Sequence, residues 1–232
     1  MEVKKTGAVI RKQIKDTMKN KEILIQFIMF PIIAVIMDKS ITMPGMQGHY
    51  FVFLFAPMYV GMAPLTVMSS IISEEREKNT LKQLLLSGVK PMEYLFGVGS
   101  CVWLLCMAGS VVFGITGEYR GWEMAQFLLI MAAGILTAVL IGAAIGTWSR
   151  NQMAAASVTV VIMLIFSFLP MLSFFNNTIK KMAQFAYSQQ VFNLLTGIGS
   201  AGETAKPIII IMINAVCACL LFVCAYKKSG LR

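Results

Sequence analysis

Long apolar runs separated by short polar ones set the pattern of this chain. Six runs, at about 22–37, 49–72, 94–116, 123–147, 153–171 and 207–226, are almost free of charge. Most reach the roughly 20 residues that a helix needs to cross a hydrocarbon core of about 30 Å, so they predict six transmembrane helices. The first run is the shortest and contains Pro31. Pro57 and Pro64 in the second run and Pro170 in the fifth are expected to bend or break their helices locally. Ahead of the runs, Val3, Ile10, Ile14 and Met18 recur at near-helical spacing among seven cations in residues 1–21. That pattern predicts a basic amphipathic helix lying on the membrane, where each cation near anionic lipid contributes on the order of 1 kcal/mol. A signal peptide fits less well, because no small-residue cleavage site follows the first run, which ends Met37-Asp38-Lys39-Ser40.

Two finer patterns sit inside this layout. Gly134, Ala138, Gly142 and Gly146 place a small residue at every fourth position of the fourth run, a column that lets a neighbouring helix approach closely. The segment 172–206 lies between runs yet stays apolar: Ile179, Met182, Phe185 and Ala186 fit one helical face, and Val191, Leu194, Leu195 and Ile198 another. Two short helices dipping back into the membrane fit this better than a solvated loop. Asn176-Asn177-Thr178 also matches a glycosylation acceptor, a three-residue signal that carries little weight. No internal repeat divides the chain, so 1–232 reads as a single transmembrane domain.

Composition agrees: 57% hydrophobic and 13% charged residues exclude an ordinary soluble domain, in which about a quarter of residues are charged. The net charge of +9 then reads as topology and not as a nucleic-acid surface. With the N-terminus inside, 15 cations fall on cytoplasmic segments and 5 (Lys39, Arg120, Lys180, Lys181, Lys206) on outer ones. Both termini are therefore expected in the cytoplasm of a cell bounded by this plasma membrane. The five cysteines lie inside apolar runs, and Cys217-x-Cys219 on a helix diverges, so small buried hydrophobes are expected and not a metal site or disulfide framework.

What the chain lacks narrows its function. No Asp, Glu, Lys or Arg occurs in 49–72, 95–117, 124–149, 151–179 or 207–226. Ion-coupled transporters keep an ionisable group in the membrane despite a cost of about 2.5–3.5 kcal/mol, because it carries the coupling ion. There is no Walker A sequence, no Gly-x-Ser-x-Gly elbow and no His-Glu-x-x-His. Glu74-Glu75 is similar to the paired glutamates of intramembrane proteases, but the arginine expected four positions on is replaced by Asn79. Gln126 and Asn214 are polar groups that can face a transport pathway or bond between helices.

The charge that remains is densest at 73–90, between the second and third runs. Thr80 and Gln83 form a capping box that predicts a helix start, and Leu81, Leu84, Leu85 and Gly88 share the face of a helix ended by Gly88 and Pro91. Asn79 readily takes a left-handed conformation, which turns the chain before that helix. A two-turn helix is unstable alone in water, so its leucines need a partner. Glu74-Glu75-Arg76-x-x-Asn79-Thr80-Leu81-x-x-Leu84-Leu85 after the second of six spans resembles the cytoplasmic motif of the type-2 ABC exporter permeases.

That resemblance implies an all-α integral membrane protein with six transmembrane helices, an N-terminal amphipathic connecting helix (1–21), a cytoplasmic coupling segment (73–90) that carries the coupling helix, and an outer re-entrant segment (172–206) of short helices. It implies that Glu74, Glu75, Arg76, Asn79, Thr80, Leu81, Leu84 and Leu85 dock a separate ABC ATPase subunit. ATP and Mg would sit on that partner, with no cofactor, metal or catalytic residue in this chain. A second copy or a related permease would complete a dimer exporting an amphiphilic solute such as a drug, antimicrobial peptide or lipid-like molecule. Members commonly carry Gly at the position of Asn79 and Pro near that of Gly88. The competing class is a membrane interaction or regulatory protein, or an intramembrane enzyme.

Overall fold

In the computed structural model, the described residues are 3–41, 49–86, 88, 91–198 and 204–228, and among them every regular element is an α-helix. The helices are α1 (Val3–Lys19), α2 (Lys21–Ser40), α3 (Tyr50–Glu77), α4 (Thr80–Leu86), α5 (Pro91–Thr116), α6 (Gly121–Trp148), α7 (Gln152–Leu172), α8 (Asn177–Ala183), α9 (Tyr187–Thr196) and α10 (Ala205–Lys228). Six of them, α2, α3, α5, α6, α7 and α10, are long and apolar enough to cross a membrane. At 28 residues each, α3 and α6 run for about 42 Å, longer than the hydrocarbon core is thick. The last turns of α3, which carry Glu74 to Glu77, therefore project past the apolar layer.

Helix α3 is the hub. It packs against α2, α5, α6, α7 and α9, and Tyr59, Leu65 and Met68 are wholly enclosed. The small-residue column of α6 faces it: a Cβ on Gly142 would stand 2.5 Å from the Leu65 carbonyl oxygen, and one on Gly146 would stand 2.8 Å from that of Ser69. On another side, a Cβ on Gly61 would meet the Phe166 backbone of α7 at 2.8 Å. Between these backbones run two polar ties, Ser69 to Thr159 at 2.8 Å and the Ser167 hydroxyl donating to the Met58 carbonyl at 3.2 Å. Gly142→Leu should push α3 and α6 apart at a cost of about 1–3 kcal/mol, visible as a lower unfolding temperature in detergent. An unchanged temperature would mean that the two backbones are not in contact.

The structure adds to the sequence reading at several points and departs from it at some. Neither Pro57 nor Pro64 interrupts α3, nor does Pro170 interrupt α7. Each proline removes one ladder donor, and burial between neighbouring helices holds the turn in place despite it. On α1, Gln13 and Thr17 face the bundle and are buried, while Ile14 and Met18 are exposed. The apolar stripe thus turns away from the bundle, as a helix seated on a lipid surface requires. Of the cysteines, Cys101 and Cys106 are buried, but Cys217 and Cys224 are exposed, because α10 is a peripheral helix with only 22% of its span enclosed. Asn176 of the possible glycosylation triplet caps α8, its side-chain oxygen accepting from the Thr178 and Ile179 amides.

Candidate functional site

The charged end of α3 and the short helix α4 form one structure. Lys78 and Asn79 make the turn between them, and Asn79 has φ +58°, left-handed as its residue type allows. The Gln83 amide donates to the Asn79 carbonyl at 3.1 Å, so the first helical bond closes on Asn79, one residue ahead of the expected start. The reciprocal side-chain bonds of a Thr80–Gln83 capping box are not formed among the described residues. The left-handed Asn79 instead delivers its own carbonyl to the first turn, so the helix starts through the backbone. After α4, Gly88 has φ +87°, the conformation in which a glycine ends a helix.

Each charged residue at the end of α3 has its own partner. The carboxylate of Glu75 is only 13% exposed and accepts from Lys12 of α1 at 2.7 Å and from the Tyr94 hydroxyl of α5 at 2.5 Å. Arg76 points the other way, donating to the carbonyls of Thr147 and, at 2.8 Å, Ser149, where α6 ends. Those carbonyls have no partner within their own helix, which is why a guanidinium suits the position. Glu77 accepts at 2.7 Å from the Gln152 amide in the first turn of α7, where a carboxylate also meets the positive end of the helix dipole. Glu74 binds Lys78 at 2.5 Å one turn on, and this hydrogen bond raises the lysine pKa. Four successive side chains thus bind α3 to α1, α5, α6 and α7 and brace the turn into α4.

Arg76→Gln should loosen the α6–α7 corner by about 1.5–3 kcal/mol, the worth of hydrogen bonds to a charged group. The readout is faster amide exchange around 145–152, with exchange in α9 as the unaffected reference.

Helix α4 divides its residues between inside and outside. Leu81 is 4% exposed and packs on α3, while Leu86, on the opposite side of the helix, is 79% exposed, with Gln83 also in the open. Leu81 therefore belongs to the core of this chain, and its apolar surface is already spent there. The backbone puts Leu84 and Leu85 in α4, but their side chains lie outside the described residues. Thr80 is half-buried. Sequence reasoning missed Leu86 because the leucine face drawn through 81, 84 and 85 leaves it on the far side. It missed Lys12, Tyr94 and Gln152 because they lie 63, 19 and 75 residues from their partners.

At the other end of the bundle, α9 enters deeply. A Cβ on Gly134, midway along α6, would touch Val191 of α9 and Val60 of α3, so α9 reaches about half the depth of the helices around it. Asn214 donates to the Phe185 carbonyl at 3.0 Å and to its own Ile210 carbonyl at 2.9 Å, pinning the α8–α9 corner to α10. Gln126 is half-buried near the start of α6.

No curated protein matches the chain. A match is found instead to the ABC-2 family transporter proteins, over residues 4–226. That span takes in all six long helices together with α4, α8 and α9, and the charged junction is thus one part of a whole architecture: the chain belongs to the ABC-2 transporter permease family, membrane subunits of ABC transporters.

Proposed function

We propose that this chain is the permease half of an ATP-driven exporter that moves an amphiphilic solute across the plasma membrane. A separate ATPase subunit docks on α4 and holds the ATP and Mg, and a second copy or a related permease completes the pathway. The observation that carries this reading is the mounting of α4. An exposed two-turn helix with an open leucine stands on the end of a buried helix whose charged side chains reach four others. A push on α4 is thereby delivered to α1, α5, α6 and α7 together.

In this mechanism, closure of the ATPase pair displaces α4 and the end of α3. Glu75 draws α1 and α5 along, Arg76 draws α6, and Glu77 draws α7. The apolar faces of α2, α7 and α10, each with less than a third of its span enclosed, supply surface for lipid and for the second permease. The excess of cations on the α4 side supports cytoplasmic termini and a cytoplasmic ATPase. The test is co-purification of the full chain with its ATPase subunit, compared with the Leu86→Asp variant. Retention of that subunit at the wild-type ratio by the variant would remove α4 as the docking element.

A further inference from the structure

At the end of the bundle that carries α4, a cavity of about 320 Å³ opens between the last turn of α3, the α6–α7 link and the last turns of α10. Arg76 of α3, Arg150 of the link and Lys228 of α10 line it together with Trp148, the last residue of α6. No aspartate or glutamate is among its described lining residues. The carboxylates beside Arg76 in sequence are engaged elsewhere: Glu75 with Lys12 and Tyr94, Glu77 with the Gln152 amide, and Glu74 with Lys78.

Two of the three cations are held in place by their own chain. Arg76 is half-buried and donates to the carbonyls of Thr147 and Ser149, so its charge is fixed against the end of α6. The Lys228 ammonium stands 5.7 Å from the centre of the Trp148 ring, within the range of a cation–π contact. Arg150 lies close enough to repel the Arg76 guanidinium. Like charges gathered in this way disfavour one another, and an anion placed among them meets attraction from each. The remaining wall is apolar. Leu221, Ala225 and Lys228 fall at i, i+4 and i+7 on one face of α10, so the groove runs from the charged end of that helix about 10 Å back into its apolar span. Leu221 is exposed, on a helix with only 22% of its span enclosed.

We infer that this cavity binds the phosphodiester of an anionic phospholipid in the leaflet on the α4 side. Arg150 and Lys228 take the phosphate, Arg76 supplies a fixed positive charge beside it, and an acyl chain lies along Ala225 and Leu221. A zwitterionic lipid fits less well, because the ammonium of phosphatidylcholine would sit among three cations with no carboxylate lining the cavity to receive it. A soluble phosphate ester meets the same cations but leaves the apolar wall uncovered. The lipid takes no contact from α4, so the site stands or falls independently of ATPase docking.

The experiment is native mass spectrometry of the full chain released from nanodiscs of phosphatidylcholine and phosphatidylglycerol in equal amounts. Wild-type chain should retain phosphatidylglycerol over phosphatidylcholine by on the order of tenfold. Arg150→Gln/Lys228→Gln should cut that preference to about twofold or less, and both residues are exposed, so the unfolding temperature should stay that of the wild type. Arg150→Lys/Lys228→Arg keeps both charges and should keep the preference. Lys180→Gln/Lys181→Gln removes the same charge from α8, at the opposite end of the bundle, and should leave the preference as in the wild type. That control separates a local site from the net charge of +9. Retention that persists against added glycerol 3-phosphate supports the acyl-chain contact, whereas displacement by it would overturn the lipid in favour of a soluble phosphate ester. Equal retention of the two lipids by wild-type chain, or equal losses in the α8 and Arg150/Lys228 glutamine variants, would overturn the site itself.

Discussion

Leu86→Asp is expected to strip the ATPase subunit from the complex while leaving the permease itself as stable as the wild type. The side chain is 79% exposed at the end of α4, so its loss costs the fold of the described residues little. Seated in a socket of a partner, a leucine contributes about 1.5–3 kcal/mol, and a carboxylate in that socket adds the cost of a buried unpaired charge. A loss of at least about 2 kcal/mol weakens the partner's affinity by roughly thirtyfold. The informative control is Leu81→Asp, at a position 4% exposed against α3. That change should lower the unfolding temperature of the isolated permease, which Leu86→Asp should not. The two leucines are five residues apart, and the contrast between them tests the orientation of α4 as well as its task. Equal effects of the two variants on stability, or full ATPase retention with Leu86→Asp, would refute the docking surface.

The helices and the prominent turn were legible in sequence because their causes are local. Apolar run length marked the six spans, since a helix in lipid must satisfy its own backbone and be long enough to cross. Asn79 marked the left-handed turn because few residues tolerate it, and the two short helices expected within 172–206 are present as α8 and α9, although α8 ends at Ala183, ahead of Phe185 and Ala186, and leaves Met182 exposed. The small-residue column at Gly134, Ala138, Gly142 and Gly146 gave one side of a helix contact, but only the structure names α3 as the helix that fills it.

What was hidden has non-local causes. Glu74, Glu75, Arg76 and Glu77 follow one another in sequence and look like one acidic and basic patch, yet helical rotation sends successive side chains to different neighbours. Their partners are set by how α1, α6 and α7 pack, which spacing within 73–90 does not encode. In α4, the leucine periodicity identified an amphipathic helix without saying which face the rest of the chain already covers.

Glu75 is the position at which mechanical coupling should fail most completely. Glu75→Ala removes the carboxylate that α3 presents to both Lys12 and Tyr94. Tyr94 is 4% exposed, so its hydroxyl loses its partner in a buried setting, at about 1–3 kcal/mol. The Lys12 pair contributes less, because the lysine is 38% exposed and partly screened by solvent. A double-mutant cycle with Lys12→Met and Glu75→Ala should return a coupling of about 1 kcal/mol in unfolding free energy. Leu86 is untouched, so the ATPase subunit stays bound and ATP hydrolysis continues, but α1 and α5 no longer follow the end of α3. Solute moved per ATP hydrolysed, measured in proteoliposomes of the assembled transporter, should fall by on the order of tenfold, which corresponds to losing about 1.4 kcal/mol of coupling between the α4 displacement and the helices. Glu75→Gln keeps an oxygen for the Tyr94 hydroxyl while losing the ion pair, so its ratio should lie between the two. The order wild type, Gln, Ala is what a mechanical strut at this position requires. An unchanged ratio in Glu75→Ala would mean that motion reaches α1 and α5 by some route other than this carboxylate.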